Sequence, residues 1–181
     1  SSDAGIFVDP SFGIELYDLF MQGHALDAIR VEDSTDISVH DVDFIGSNGG
    51  ERALLFDTSA NVTVARCNAS GFVSTSGAYL LDLFDCHCVS AQDVNVCGNT
   101  KSLLVSTGSF VVSGRMVSVD TCTGVEFVNV NVDNNFINNI NTGVRITAQI
   151  AFAFSNGCSM HNCSTSNNTD LSGGSLATTR D

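Results

Sequence analysis

Leu81-Asp82-Leu83, Val125-Glu126-Phe127 and Val144-Arg145-Ile146 each hold one charged residue between two apolar ones. In a strand, such a triplet turns its apolar side chains to one face and the charged one to the other. Ile29-Arg30-Val31 has the same form, and Glu32, Asp33, Asp57 and Asp85 stand just past the ends of such triplets. If these strands stack in register, the outward column reads Phe7, Arg30, Leu55, Asp82, Leu104, Glu126, Arg145. Asp82 and Glu126 are then predicted two rungs apart, about 9.6 Å at the usual strand spacing. Carboxylates about 6.5–9.5 Å apart leave room for the water that inverting glycoside hydrolysis uses. The chemistry expected of this face is polysaccharide cleavage, with Asp82 and Glu126 as acid and base and Arg145 beside them. Arg30, Asp57 and Asp85 are the expected ligand-binding residues. The plainer alternative is a solvated face, with Glu126–Arg145 a cross-strand pair worth under ~1 kcal/mol.

Other chemistry is thinly supplied. Cys86-His87-Cys88 looks like a metal fragment, but no second ligand pair stands near it, and no metal site is expected there. Cys67 replaces a valine at an inward position and reads as a small buried hydrophobe. His40 with Asp41 and Asp43 offers oxygen and nitrogen ligands for a divalent cation, so Ca2+ is the one cofactor considered; calcium-loop spacing is absent. The histidines at 24, 40, 87 and 161 pair with no nucleophile, and no phosphate-binding or dinucleotide fingerprint occurs.

The elements that must position these residues are set by a repeat. Ile14, Ile37, Val62 and Val89 each begin the same pattern: apolar at i, i+2, i+5 and i+7, glycine at i+9. An apolar pair such as Ile29/Val31 or Leu54/Phe56 lies eight residues ahead of each later start. Each unit therefore holds three short strands, with a two-residue corner between the second and third. The constant eight-residue link is hard to reconcile with an antiparallel sandwich. The expected fold is all-β: a right-handed parallel β-helix solenoid of about six to seven coils of three short strands. The expected inward columns are Ile14, Ile37, Val62, Val89 and Ile29, Leu54, Leu81, Leu103, Val125, Val144. The glycines at 23, 46, 71 and 98 are expected where the chain turns sharply. The register weakens over residues 108–142. Residues 1–161 form the expected single domain, and 162–181 a polar tail, flexible or loosely capping.

Composition narrows the partners. The 181 residues are 43% hydrophobic and 15% charged, with 20 acidic against 7 basic residues and a net charge of −13. That balance argues against nucleic acid and anionic membrane surfaces, both of which need lysine and arginine. No apolar run approaches the ~20 residues that would insert in a bilayer. With no signal peptide and no initiator Met, the chain is expected to be a processed protein or an excised domain. Seven cysteines hint at a reducing compartment, while sequons at Asn61, Asn68, Asn162 and Asn167 hint at secretion. Localisation stays open, with extracellular, cell-surface or virion settings favoured.

The coil repeat, over about residues 5–160, resembles the pectin-lyase-like superfamily of right-handed parallel β-helices. Thr142-Gly-Val-Arg-Ile-Thr147 is similar to the Arg-Ile-Lys strand of polygalacturonases, with Arg145 matching the substrate-binding arginine and Thr147 where the lysine stands. The paired-aspartate and Gly-His-Gly motifs that precede that strand are absent. Three functions follow. The first is a non-catalytic structural or adhesive module of a surface, secreted or viral-fibre protein, touching a polysaccharide or glycan. The second, which the resemblance implies, is a polysaccharide lyase or glycoside hydrolase. The third is an oligomeric spike segment whose outward Phe7, Leu55 and Leu104 form a contact between copies or with the continuation of a longer chain.

Overall fold

The computed structural model describes residues 4–24, 27–46, 52–74, 80–97, 99–103, 116–133, 135–139, 148–165, 169–170 and 177–180. Among these, regular structure is strand alone, and every pairing is parallel to the equivalent strand of the neighbouring unit. The first sheet runs Ile6–Val8, Asp27–Glu32, Arg52–Asp57, Leu81–Phe84, Val117–Asp120, Ala148–Ala153, Ala177–Arg180. The second has two arms joined by Thr35–Ile45, whose front half pairs with Ala60–Ala65 and whose back half pairs with Asn68–Ser70. The third runs Val73–Ser74, Thr100–Leu103, Phe136–Asn139, Thr169–Asp170.

Apolar residues at alternate positions leave one face of each strand with no escape from water except burial against the other sheets. Ile14, Ile37, Val62 and Val89 stack in register as expected, and Val125 extends the column. Phe44, Phe56, Phe127, Ile29, Ile37, Leu83, Met116 and Ile150 are fully buried, each worth about 1.5–3 kcal/mol of transfer energy. The Phe127 and Phe152 rings meet at 5.6 Å between centroids, joining the second sheet to the first.

The other expected column holds only in part. Ile29, Leu54 and Leu81 stack, but Val117 and Ile150 follow them, not Leu103 and Val125. Leu103 belongs to the third sheet and Val125 to the second. The cause is a change of unit length. Ladder-bonded partners are separated by 23, 25 and 27 residues in the early units, then by 36 and 33. The added residues fall between Leu103 and Val117, within 104–115, outside the described residues.

Left-handed backbone makes the corners. One column, Asp18, Asp41, Arg66, Asp93, Asn129 and Asn162, has φ between 51° and 55° throughout. Asp and Asn tolerate that region because their short polar side chains bond locally. Asn129 donates to Asp93 and Asn162 to Asn129, at 2.8 and 2.7 Å. Arg66, costlier there, gives two hydrogen bonds to Asp41. A neighbouring ladder links Asp43, Asn68, Asn95, Asn131 and Ser164. Inside the stack, Asn99 and Asn135 are buried and bond to each other and to the Ala69 and Val96 carbonyls.

Of the pattern glycines, Gly23 and Gly71 occupy positive φ, and Gly98 lies outside the described residues. Gly46 is needed for a different reason: a Cβ there would lie 2.2 Å from the Phe72 Cα. The stretch 162–181, expected as a polar tail, carries strand pairing. Asn162 and Ser164 continue the two ladders, Thr169–Asp170 pairs with Phe136–Asn139, and Ala177–Arg180 pairs with Ala148–Ala153. Asn and Ser are among the residues that build corners in this fold.

Candidate functional site

The first sheet presents its outward side chains in two columns. Register places Phe7, Arg30, Leu55, Asp82 and Ser118 in one. Glu32, Asp57, Phe84 and Asp120 form the other. Between them lies a groove of about 340 Å³, lined by Arg30, Arg52, Leu55, Asp57, Asp82, Phe84, Ser118 and Asp120.

Phe84 is the aromatic among the groove's lining residues. It belongs to an outward column yet is aromatic and 46% exposed. Asp57 and Asp120 sit directly beside it on the two neighbouring strands, and Asp82 lies two residues back on its own strand. Asp57 and Asp120 are therefore separated by about 9.6 Å of strand spacing. Asp57 accepts a hydrogen bond from the Thr58 hydroxyl at 2.8 Å, and Asp120 from the Thr121 hydroxyl at 3.0 Å. Thr58 and Thr121 are corner residues at positive φ, so the corner that ends the strand also orients its last carboxylate.

The cations are held within the walls. Arg52 reaches both oxygens of Asp27, at 3.1 and 3.3 Å, and its Nε lies 3.4 Å from Asp82 Oδ2. That Nε is buried and makes no hydrogen bond. Arg30 is paired with Glu32 and sits over the Phe7 ring, 5.9 Å from its centroid, a geometry worth about 0.5–1 kcal/mol at an exposed site.

Of the residues expected to act together, the structure brings Asp82, Asp57 and Arg30 to one groove, while Glu126 and Asp85 are not among its lining residues. Glu126 is not in the Asp82 column. It lies on the second sheet between Ser90 and Ser159, exposed, with His161 Nε2 at 3.8 Å. The register change after Leu103 is the reason: Ser118 takes the place expected of Leu104, and Glu126 moves to another sheet. Asp85 turns the corner after Phe84 with φ 48°, and its backbone N–H donates to the Asp120 carbonyl. Arg145 and Leu104 lie outside the described residues. Leu55, expected as an exposed contact, is 6% exposed. Arg52, Phe84 and Asp120 escaped the sequence reading. Phe84 was within reach of it, since alternation from Asp82 turns it outward; Asp120 was hidden by the register change.

A second polar system occupies the corner. His40 bonds to Glu15 and Asp41, at 2.9 and 2.8 Å, and stacks on Tyr17. The Glu15 and then the Asp41 hydrogen bonds raise the His40 pKa. The Arg66 guanidinium, and then His40, hold the Asp41 carboxyl well below the usual carboxylate range. The carboxylates considered for Ca2+ are engaged, Asp41 with Arg66 and His40, Asp43 with the Asn68 amide. Among the described residues no group of three or more His, Cys, Asp or Glu is arranged to hold a metal ion. A recess of about 420 Å³ is lined by Asp93, Asn95, Asn129, Asn131, Asn162, Cys163 and Ser164. Its walls are the two ladders, whose side chains bond mainly to one another.

Cys86 and Cys122 are corner parts. Ser34, Ser59, Cys86, Cys122 and Ser155 each bond to the carbonyl two residues back. Cys122 and Ser155 also receive the backbone N–H of the preceding unit, from Cys86 and Cys122. The Cys122 contact and burial push the Cys86 thiol up, and burial pushes Cys67 up to about 11. Thiols so protonated are poor nucleophiles and poor metal ligands.

No family model matches the chain, and no curated protein does. A solved structure of a "putative glycosyl hydrolase" from Parabacteroides merdae is 13% identical, with 86% of this chain and 78% of that one covered and a TM-score of 0.44. A likeness of that extent says nothing of activity.

Proposed function

We propose that the chain is a right-handed parallel β-helix solenoid of the pectin-lyase-like kind whose first-sheet groove binds a saccharide chain. One observation carries the reading: an exposed aromatic ring, Phe84, flanked by Asp57 and Asp120, with Asp82 on the same strand, along a groove of about 340 Å³. A sugar needs a flat apolar surface for its C–H face and fixed acceptors for its hydroxyls, and this groove supplies both. A glycan array with the wild-type chain and Phe84→Ala tests it. Binding that falls about tenfold in the variant supports the reading; equal binding by both removes it.

The second reading is cleavage of the bound chain by a hydrolase or lyase. It is favoured by the separation of Asp57 and Asp120, about 9.6 Å, at the upper edge of the spacing for an inverting pair. A degradation assay separates the two: turnover lost in Asp57→Asn or Asp120→Asn supports an enzyme, and binding without turnover supports a contact module. Association of copies, or with a longer chain, stays a proposal for Phe7, the exposed member of the expected contact, and extends as a proposal to the exposed Phe12, Tyr17 and Phe20.

A further inference from the structure

Resting on the saccharide reading, we infer that the groove selects neutral or amino-sugar chains and rejects uronates. Among the described residues, the groove and the groups paired with its arginines hold five carboxylates, Asp27, Glu32, Asp57, Asp82 and Asp120, against two guanidiniums. Both guanidiniums are committed. Arg30 is bonded to Glu32, and Arg52 is bonded to Asp27 and close to Asp82. Recognition of a uronate carboxylate wants an arginine whose charge no neighbouring carboxylate already balances, and each of these has a carboxylate paired with it.

The carboxylates beside the ring are in the opposite condition. Asp57 and Asp120 accept from the neutral hydroxyls of Thr58 and Thr121, and neither is in an ion pair among the described residues. Asp57 and Asp120 stand one strand spacing, ~4.8 Å, to either side of Phe84, so the rim of a sugar stacked on that ring comes within reach of their carboxylates. A hydroxyl there donates a charge-assisted hydrogen bond, and an ammonium donates a stronger one. A carboxylate there meets like charge on both sides, in a chain whose formal charge of −13 already repels anions.

The test is calorimetric titration of the full chain with size-matched oligomers of glucosamine, N-acetylglucosamine, glucose and galacturonate, in a chelator so that no metal bridges carboxylates. The expected order of affinity is amino sugar, then neutral, then uronate, with about tenfold or more between first and last at low salt and less as salt screens the field. Asp57→Asn/Asp120→Asn should narrow that gap at least about threefold, while Asp43→Asn, away from the groove, should leave it unchanged. If galacturonate binds as tightly as the neutral oligomers and Phe84→Ala abolishes that binding, the charge preference is overturned and the saccharide reading stands. If no oligomer binds, or Phe84→Ala changes nothing, the saccharide reading fails and takes the preference with it.

Discussion

Along the corner of the second sheet, Asp41, Arg66, Asp93, Asn129 and Asn162 occupy one backbone position with nearly one φ, and neighbours bond across rungs: Arg66 to Asp41, Asn129 to Asp93 and Asn162 to Asn129. Along the first sheet, Arg30, Leu55, Asp82 and Ser118 also occupy one backbone position and have little chemistry in common. Stacking makes columns on both of these sheets among the described residues. Where a column keeps one chemistry, its polar groups satisfy their neighbours and hold rungs together. Where a column changes chemistry at each rung, the side chains are not explained by stacking, and a ligand becomes the better account. The same contrast separates the two recesses: the larger has walls of mutually bonded amides, and the smaller has an exposed ring between carboxylates that stacking does not require.

The largest expected effect lies on the uniform side. Asn99→Ala removes the acceptor of the Phe72 N–H and the donor to the Ala69 carbonyl, both buried. It should cost about 3 kcal/mol, read as a lower urea midpoint at constant slope. Gly46→Ala forces the Phe72 backbone away from the new Cβ and should cost about 2 kcal/mol in the same measurement. Neither should weaken saccharide binding by the folded fraction, and if either does, the two faces are not independent. Phe84→Ala should do the reverse, losing about tenfold in affinity while stability stays within about 1 kcal/mol, since the ring is nearly half exposed.

The smallest effect concerns pH. Glu15 and Asp41 raise the His40 pKa in the fold. The protonated form is thus favoured by folding, and its contribution is complete below about 6.5 and lost as pH rises through the raised value. The depressed Asp41 works in the other sense, contributing above about 4 and losing its share as pH falls through its lowered value. Thermal melts from about pH 5 to about pH 9 should show a shallow fall in Tm that His40→Asn flattens. An unchanged slope in that variant would remove His40 from the network.

Much of the fold was legible because its physics is local. Alternation, the corner and the eight-residue link placed Ile14, Ile37, Val62 and Val89 in one column and Ile29, Leu54 and Leu81 in another. The extra residues between Leu103 and Val117 carried no such signal, so every column counted through them slipped. That slip put Glu126 in the Asp82 column, two rungs on, in the sequence reading and put Asp120 nowhere. Asp82, Asp57 and Arg30 were found because their units precede it. Arg52 was missed because it precedes the apolar triplet of its strand. Phe84 was passed over because an aromatic at the end of a strand reads as core by composition, and only its exposure marks it otherwise. The ladders were half visible: the corner positions were assigned, but hydrogen bonds between Asn residues 27 to 36 positions apart have no trace in a single sequence.

The most direct measurement sets the two faces against each other in one titration. Phe84→Ala/Asp82→Asn alters the groove, and Asn131→Ala alters the recess between the ladders. With a neutral oligosaccharide, the first variant should lose about tenfold or more in affinity and the second should match wild type. Loss in Asn131→Ala with the groove variant unaffected would contradict the assignment of binding to the first sheet.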